Sequence, residues 1–172
     1  TPVCCESEAD IFKAEVKDFW TYYCCGQTRD YLPNRMFAQP SVRNRIIGIL
    51  LYKYDTKGFL QWGHNFWYTQ YSKQAIDPYK VTDAGGSFPS GDSFVVYPGK
   101  DGTPLNSLRH LVFADAFQDL RALKLLESRT SREYVLSLLE RDLDIPLTFR
   151  TYPHEQSWLL NLRKTINEEI AK

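Results

Sequence analysis

Residues 58–71 read GFLQWGHNFWYTQY, and this stretch decides the predicted fold. It begins like a buried strand, with Phe59 and Leu60, and then presents His64, Asn65 and several large aromatic residues together. In parallel α/β sheets, such side chains at the carboxyl end of a strand form ligand sites. Flat aromatic faces with polar groups between them suit a sugar ring, which has an apolar C–H face and a hydroxyl-rich edge. The stretch therefore predicts the rim of a carbohydrate pocket, while core packing is an equally open interpretation for each single aromatic residue.

Strands and helices alternate on the amino-terminal side of this stretch. The β-rich run FWTYYCCG covers residues 19–26 and predicts a strand that ends at Gly26. Pro40 and Ser41 then introduce a predicted helix. The apolar residues on one side of that helix are Val42, Ile46, Leu50 and Tyr54. Strand, helix and strand with short connections predict a right-handed crossover and a parallel sheet.

A further strand and three helices are predicted on the carboxyl-terminal side. Residues 93–99, SFVVYPG, are β-rich and end in proline and glycine. Ser107 is predicted to cap the longest helix, and Thr130 with Glu133 to cap the next one. Pro153 is predicted to begin the last helix. Residues 129–172 are therefore expected to form a helical cover on the same domain.

Composition and charge limit the possible functions. The 172 residues carry 21 basic and 21 acidic side chains, so no net charge favours nucleic acid or an anionic membrane as a partner. The longest apolar run, Ile46–Leu51, is too short to span a bilayer. The chain begins at Thr1 without a methionine, which suggests a fragment or a processed product.

Cysteines occur as two adjacent pairs, Cys4-Cys5 and Cys24-Cys25. Neighbours on a strand point to opposite faces, so each pair is expected to place one thiol inward and one outward. The spacing is not that of a zinc or redox site, and reduced thiols favour a cytoplasmic location. A second hypothesis is a thiol enzyme in which His64 activates Cys25.

Four segments in order resemble one known family. They are FWTYYCCG, NRIIGILLYKYDTKGFLQWGHNFWY, the Asp77-Pro78 pair and SGDSFVVYPGKDGTPLNSLRHLVFADAFQDLRALKLLE, and together they span roughly Phe19–Glu127. The chain resembles the C-terminal part of the bacterial DUF4091 family, which includes glycoside hydrolase family 123. This resemblance implies an α/β fold in which residues 1–128 form about strands 6 to 8 of a (β/α)8 TIM-like barrel. It implies no cofactor and no metal, and exposed barrel edges would allow self-association.

The resemblance also implies a reaction. Characterised relatives are β-N-acetylgalactosaminidases that retain configuration, with the substrate's acetamido oxygen as nucleophile and an adjacent Asp-Glu pair as orienting group and acid. This chain contains no adjacent Asp-Glu, and Glu168-Glu169 falls in the terminal helix, where it cannot reach a glycosidic oxygen. No catalytic residue is therefore assigned. The chain alone is expected to be inactive, and a stand-alone carbohydrate-binding module is the alternative.

The same resemblance assigns the walls of a sugar site, with an N-acetylhexosamine-containing carbohydrate as the expected partner. Asp77 and Asp92 fall at acidic loop positions of the family, with turn capping as an equal alternative for both. Arg109 and Asp119 are expected to be structural partners. The full set of expected substrate-binding residues is Trp20, Tyr22, Trp62, His64, Asn65, Trp67, Asp77, Asp92 and Tyr97.

Overall fold

A computed structural model describes residues 2–4, 9–26 and 31–172, so the Cys5 position lies outside the described residues. Three short strands form a parallel sheet in the order β1 (Pro2–Cys4), β2 (Trp20–Tyr22) and β3 (Gly58–Leu60). The register places Tyr22 beside Leu60. The predicted parallel pairing of β2 with β3 is confirmed, although each strand is shorter than its β-rich run.

Helices connect these strands. Helix α1 (Ala9–Glu15) links β1 to β2, and α2 (Val42–Arg45) with α3 (Ile47–Lys53) link β2 to β3. The predicted helix after Pro40 thus forms as two pieces that meet at Ile46, and its four predicted apolar positions are all buried. Helix α3 lies very close to the next helix, because a Cβ added at Gly48 would come within 1.9 Å of the Ala116 carbonyl oxygen.

The predicted strand at residues 93–99 needs correction. Only β4 (Val96–Pro98) is a strand, and it pairs antiparallel with β5 (Pro104–Asn106) instead of extending the parallel sheet. The physical reason is the short connection between them, since a parallel partner requires a crossover of a dozen or more residues. Phe94 makes one isolated antiparallel bridge with Asn65.

Three helices complete the fold: α4 (Leu108–Arg129), α5 (Arg132–Glu140) and α6 (Gln156–Ile170). The Ser107 side chain accepts a hydrogen bond from the His110 amide and caps α4, as predicted. Helix α5 is capped by Ser131 rather than Thr130, which still ends α4, and α6 begins after Pro153, with Glu155 at its cap position. Within the described ranges, no helix is both long and apolar enough to cross a membrane.

The hydrophobic core lies between the helices and one face of the sheet. Phe59 and Tyr23 pack edge-to-face at 4.9 Å between ring centroids, and Phe59 also meets Phe113 of α4. Side chains of α5 and α6 belong to the same cluster. Its fully buried members include Ile46, Ile47, Leu50, Leu123, Leu126, Leu147 and Ile166.

The opposite face of the sheet is partly open to solvent. Alternation along the strands directs Trp20, Tyr22 and Leu60 to this side, and Trp20 and Leu60 are each 41% exposed. Trp62, just beyond β3, is 38% exposed. The sheet therefore packs on helices with one face and presents large apolar side chains with the other.

Candidate functional site

An apolar groove of about 320 Å³ lies at the carboxyl ends of β2 and β3, on the open face of the sheet. Tyr22 and Leu60, neighbours across the two strands, form its floor. Trp62 contacts Phe88 edge-on, with 5.2 Å between ring centroids, so the loop after β3 contributes one wall. The lining residues are Tyr22, Cys24, Cys25, Leu60, Trp62 and Phe88.

Asp92 lies directly behind this groove and is completely buried. Neither of its carboxyl oxygens accepts a well-formed hydrogen bond from any described residue. Burial raises the pKa of Asp92 above its ordinary value, and nearby Arg35, Trp62, Cys25 and Arg109 oppose that shift only in part. A buried carboxyl group with unpaired oxygens is uncommon in a folded protein and indicates a functional or water-binding position.

Arg35 lies beside Asp92 and is bonded to its backbone, and no sequence pattern pointed to this residue. Arg35 is 1% exposed, and its Nη2 donates to the backbone oxygens of Asp92 at 2.8 Å and Gly63 at 3.3 Å. Its Nε and Nη1 have no partner among the described residues, and burial lowers its pKa. The loop that carries Arg35 has no periodic pattern, so only the tertiary structure brings this residue to the groove.

Arg109 holds in place the loops around Arg35 and Asp92. Its Nη1 donates to the backbone oxygen of Gly91 at 2.6 Å and its Nη2 to that of Phe94 at 2.8 Å. The guanidinium group also lies 4.4 Å from the centre of the Phe37 ring. Burial and the proximity of Arg35 lower the pKa of Arg109 to about 10. The expected structural role of Arg109 agrees with these contacts.

His64, Asn65 and Trp67 follow the groove along the chain. The His64 ring packs edge-on against His110, with 5.3 Å between centroids, and burial together with His64 lowers the pKa of His110. The Trp67 indole donates to the Val96 backbone oxygen at 3.1 Å, which ties this ring to β4. His64 and Asn65 are exposed, whereas Trp67 is half-buried. This segment therefore presents polar groups beyond the aromatic groove.

Asp77 and Tyr97 lie together at a third place. An Asp77 carboxyl oxygen accepts from the Tyr79 amide at 3.0 Å, and the carboxylate lies 3.7 Å from the Lys80 ammonium. Tyr97 stacks on the Tyr79 ring at 4.9 Å, and the Tyr79 hydroxyl donates to the Pro98 backbone oxygen. Asp77 thus caps its own turn, and Tyr79 links it to Tyr97.

The cysteines differ from the expectation of one inward and one outward thiol. Cys24 and Cys25 both line the groove, because the chain leaves β2 at Tyr22 and turns at Cys25 and Gly26. Burial, Cys24 and Asp92 raise the pKa of Cys25, which is opposite to the change that a nucleophilic thiolate requires. This environment does not support the thiol-enzyme hypothesis.

The expected site residues thus form three groups. Tyr22 and Trp62 line the groove with Asp92 behind them, and Trp20 extends the same face of the sheet beside Gly58. The remaining residues follow in the segment after β3 and around the β4–β5 hairpin. No group of three or more histidine, cysteine, aspartate or glutamate side chains in the described part of the chain is arranged to hold a metal ion.

One comparison with known families gives a match. The model of the family described as "Glycoside hydrolase 123, catalytic domain" matches residues 3–126. No curated protein matches the chain. The matched range contains all the groove residues, Asp92, Arg35 and most of α4, but not α5 or α6.

Proposed function

The chain belongs to the glycoside hydrolase 123 catalytic-domain family, which gives it a glycoside hydrolase-like function, and we propose that its aromatic groove is one wall of the carbohydrate-binding site. The observation that carries this proposal is the position of the groove at the carboxyl ends of β2 and β3. Ligands of parallel α/β folds bind at that end of the strands. We further propose that the parallel sheet is part of a (β/α)8 barrel.

The groove chemistry suits a sugar with an apolar substituent. Trp62 offers a partly exposed indole face on which a pyranose ring would stack, and Tyr22 lies on the floor opposite it. An acetamido methyl group would fit the apolar space between Leu60 and Phe88. This supports an N-acetylhexosamine as the sugar class, with His64 beyond the groove as a hydrogen-bonding group for ring hydroxyls.

Asp92 would act on the sugar indirectly. It is completely buried, so it does not reach the groove surface, but it faces the Trp62 indole and the Cys25 amide. We assign it the role of a positioning residue that holds the Trp62 wall. Trp20 would extend that wall, while Asn65, Trp67, Asp77 and Tyr97 would form an outer rim.

Catalysis would require an adjacent Asp-Glu pair, which the residues of the candidate site do not include. The groove lining holds no aspartate or glutamate, and the sequence holds no adjacent Asp-Glu. We propose that the acetamido oxygen of the substrate is the nucleophile and that the Asp-Glu pair comes from outside these 172 residues. A stand-alone carbohydrate-binding module is the second candidate, and the lack of a carboxyl group in the groove lining favours it equally.

Tryptophan fluorescence tests the binding part of the proposal. Titration of the chain with N-acetylgalactosamine should give a saturable change, and Trp62→Ala should weaken binding by about fivefold because a stacked aromatic ring contributes about 1 kcal/mol. Trp158→Phe is the matched control, since Trp158 lies in α6 and not in the groove. An unchanged titration in Trp62→Ala, or no response to any saccharide, would overturn the proposal.

A turnover assay separates the two candidates. With an aryl β-N-acetylgalactosaminide, the chain alone should release no phenol, because a general acid must lie within hydrogen-bonding reach of the leaving oxygen. Phenol release by the chain alone would show that the acid lies within these residues. Binding without turnover, followed by activity when the remainder of a family barrel is added, would favour the hydrolase over the binding module.

A further inference from the structure

Three aromatic rings lead away from the groove along the segment that follows β3. Trp62, on the groove wall, lies 5.7 Å from the Phe66 ring, and Phe66 lies 5.8 Å from the Tyr68 ring, measured between ring centroids. Trp62 is 38% exposed and Tyr68 is 43% exposed, while Phe66 is half-buried between them. We call Trp62, Phe66 and Tyr68 the aromatic track. The groove lining does not include Phe66 or Tyr68, so the track extends the apolar surface beyond the groove.

The backbone holds the outer end of the aromatic track in place. Tyr68 and Ala75 form an antiparallel bridge, and the Thr69 amide donates to the Gln74 backbone oxygen at 2.9 Å. The Gln74 amide in turn donates to the Thr69 side-chain oxygen at 3.1 Å. A ligand would therefore meet a ring whose position is already fixed, which lowers the entropy cost of binding.

The segment that carries the aromatic track has no charged side chains. The sequence from Gln61 to Ser72 contains no aspartate, glutamate, lysine or arginine. Single-stranded nucleic acid also stacks on aromatic rings, but its binding needs basic side chains along the phosphate backbone. A neutral glycan needs only apolar faces and hydrogen-bonding groups, and His64 and Asn65 are exposed in the same segment. The chemistry of the track therefore favours a neutral glycan over a nucleic acid.

We propose that the aromatic track binds neutral oligosaccharides by stacking the sugar residues that follow the one in the groove. This inference rests on the proposed function, and it makes the ligand a chain of several sugars instead of a single N-acetylhexosamine. The spacing between successive rings is close to the length of one pyranose residue in a β-linked chain. With the first sugar on Trp62, the second would lie over Phe66 and the third would stack on Tyr68.

A series of saccharides of increasing length tests this inference by isothermal titration calorimetry. The ligands are N-acetylglucosamine, diacetylchitobiose and triacetylchitotriose. The trisaccharide should bind the chain at least about fivefold more tightly than the monosaccharide, because it gains stacking on further rings. Tyr68→Ala should lose most of this difference, whereas Tyr68→Phe keeps the ring and should retain it. Phe12→Ala is the matched control, since Phe12 is a 37% exposed aromatic residue on α1, outside the groove lining and the track.

Two results would overturn the inference. Equal affinity of the original chain for the monosaccharide and the trisaccharide would show that the track adds nothing, and an undiminished difference in Tyr68→Ala would place the added contacts elsewhere. Saturation-transfer NMR on the original chain provides a measurement that needs no variant, because protons of the second and third sugars should receive saturation from the protein. The monosaccharide titration reports on the groove alone, so failure of the track is distinct from failure of the proposed function.

Discussion

The helical side of the molecule and the groove side each contain a buried aspartate, but the two carboxylates have different hydrogen-bond partners. On the helical side, Asp119 is 2% exposed and accepts hydrogen bonds from Arg45 at 2.7 Å and from Arg163 at 2.8 Å. On the groove side, Asp92 is equally buried, yet its carboxyl oxygens have only the Trp62 indole and the Cys25 backbone amide near them, without a hydrogen bond of good geometry to a described residue. Arg35 beside it keeps two unpaired nitrogen atoms as well.

This difference separates residues that stabilise the fold from residues placed for another purpose. Buried charges with partners help to hold the fold together. Buried charges without partners cost free energy of folding and persist where function requires them. The aromatic residues differ in the same way. Tyr23 and Phe59 are packed in the core, whereas Trp20 and Trp62 remain partly exposed on the other face of the sheet.

Leucine truncation should show the largest difference between the two sides. Leu123→Ala removes a fully buried side chain of α4 and should lower the free energy of unfolding by about 4 kcal/mol, through lost burial and a cavity. Leu60→Ala on the groove face should change it by less than about 0.5 kcal/mol. Urea unfolding followed by circular dichroism measures both, and equal losses would contradict the open character of the groove face.

The same isosteric change at the two aspartates should give the next largest difference. Asp119→Asn removes the charge that two arginines share and should cost about 3 kcal/mol. Asp92→Asn removes a charge that is already poorly compensated and should leave stability within about 1 kcal/mol of the original or raise it. Chemical denaturation of both variants at neutral pH tests this pair, and a larger loss at Asp92 would reverse our assignment of the two roles.

Two glycines provide a third comparison. A Cβ at Gly48 would overlap the Ala116 backbone, with 1.9 Å to its oxygen, so Gly48→Ala should cost about 2 kcal/mol because helices α3 and α4 must separate. The atoms nearest to a Cβ at Gly58 would belong to the Trp20 ring, the first at 2.4 Å. That ring is partly exposed and can turn away, so Gly58→Ala should cost less than about 1 kcal/mol. Thermal unfolding of the two variants would show whether the groove face accommodates an added methyl group at a smaller loss of stability than the core does.

The pH dependence at Asp92 should be the smallest effect. Because its pKa in the folded state is raised above the ordinary 3.8, the folded state holds this proton more tightly than the unfolded state. Its contribution to stability is therefore present below that value and is lost as the pH rises through the folded pKa. Between about pH 3 and pH 7, Asp92→Asn should gain stability relative to the original chain as the pH rises. A constant difference across this range would show that the carboxyl group is not perturbed.

Local patterns in the sequence predicted much of the helical side. The spacing of Val42, Ile46, Leu50 and Tyr54 correctly marked a buried helix face, and Ser107 correctly marked the start of α4. Such signals work because helix periodicity and capping depend on residues within a few positions of one another. The predicted cap of α5 at Thr130 was wrong by one position, because the residue with the extended backbone that a cap requires is Ser131.

The groove could be predicted only in outline. The aromatic run after β3 indicated a sugar site, but no local pattern indicated that Phe88 would meet Trp62 or that Arg35 would lie behind them. The strand predicted at residues 93–99 failed because its partner is a hairpin neighbour and not the parallel sheet. Pairing of distant segments depends on contacts between loops, and such contacts leave no periodic signal.

By itself, the sequence determined the alternation of strands and helices, the parallel pairing of β2 with β3 and the family to which the chain belongs. These follow from short-range patterns and from an ordered set of motifs. Only the tertiary structure decided which side chains line the groove, that Cys24 and Cys25 share it, and that Asp92 and Asp119 have opposite surroundings. Burial and hydrogen-bond partners depend on which distant segments meet, and that is settled when the chain packs.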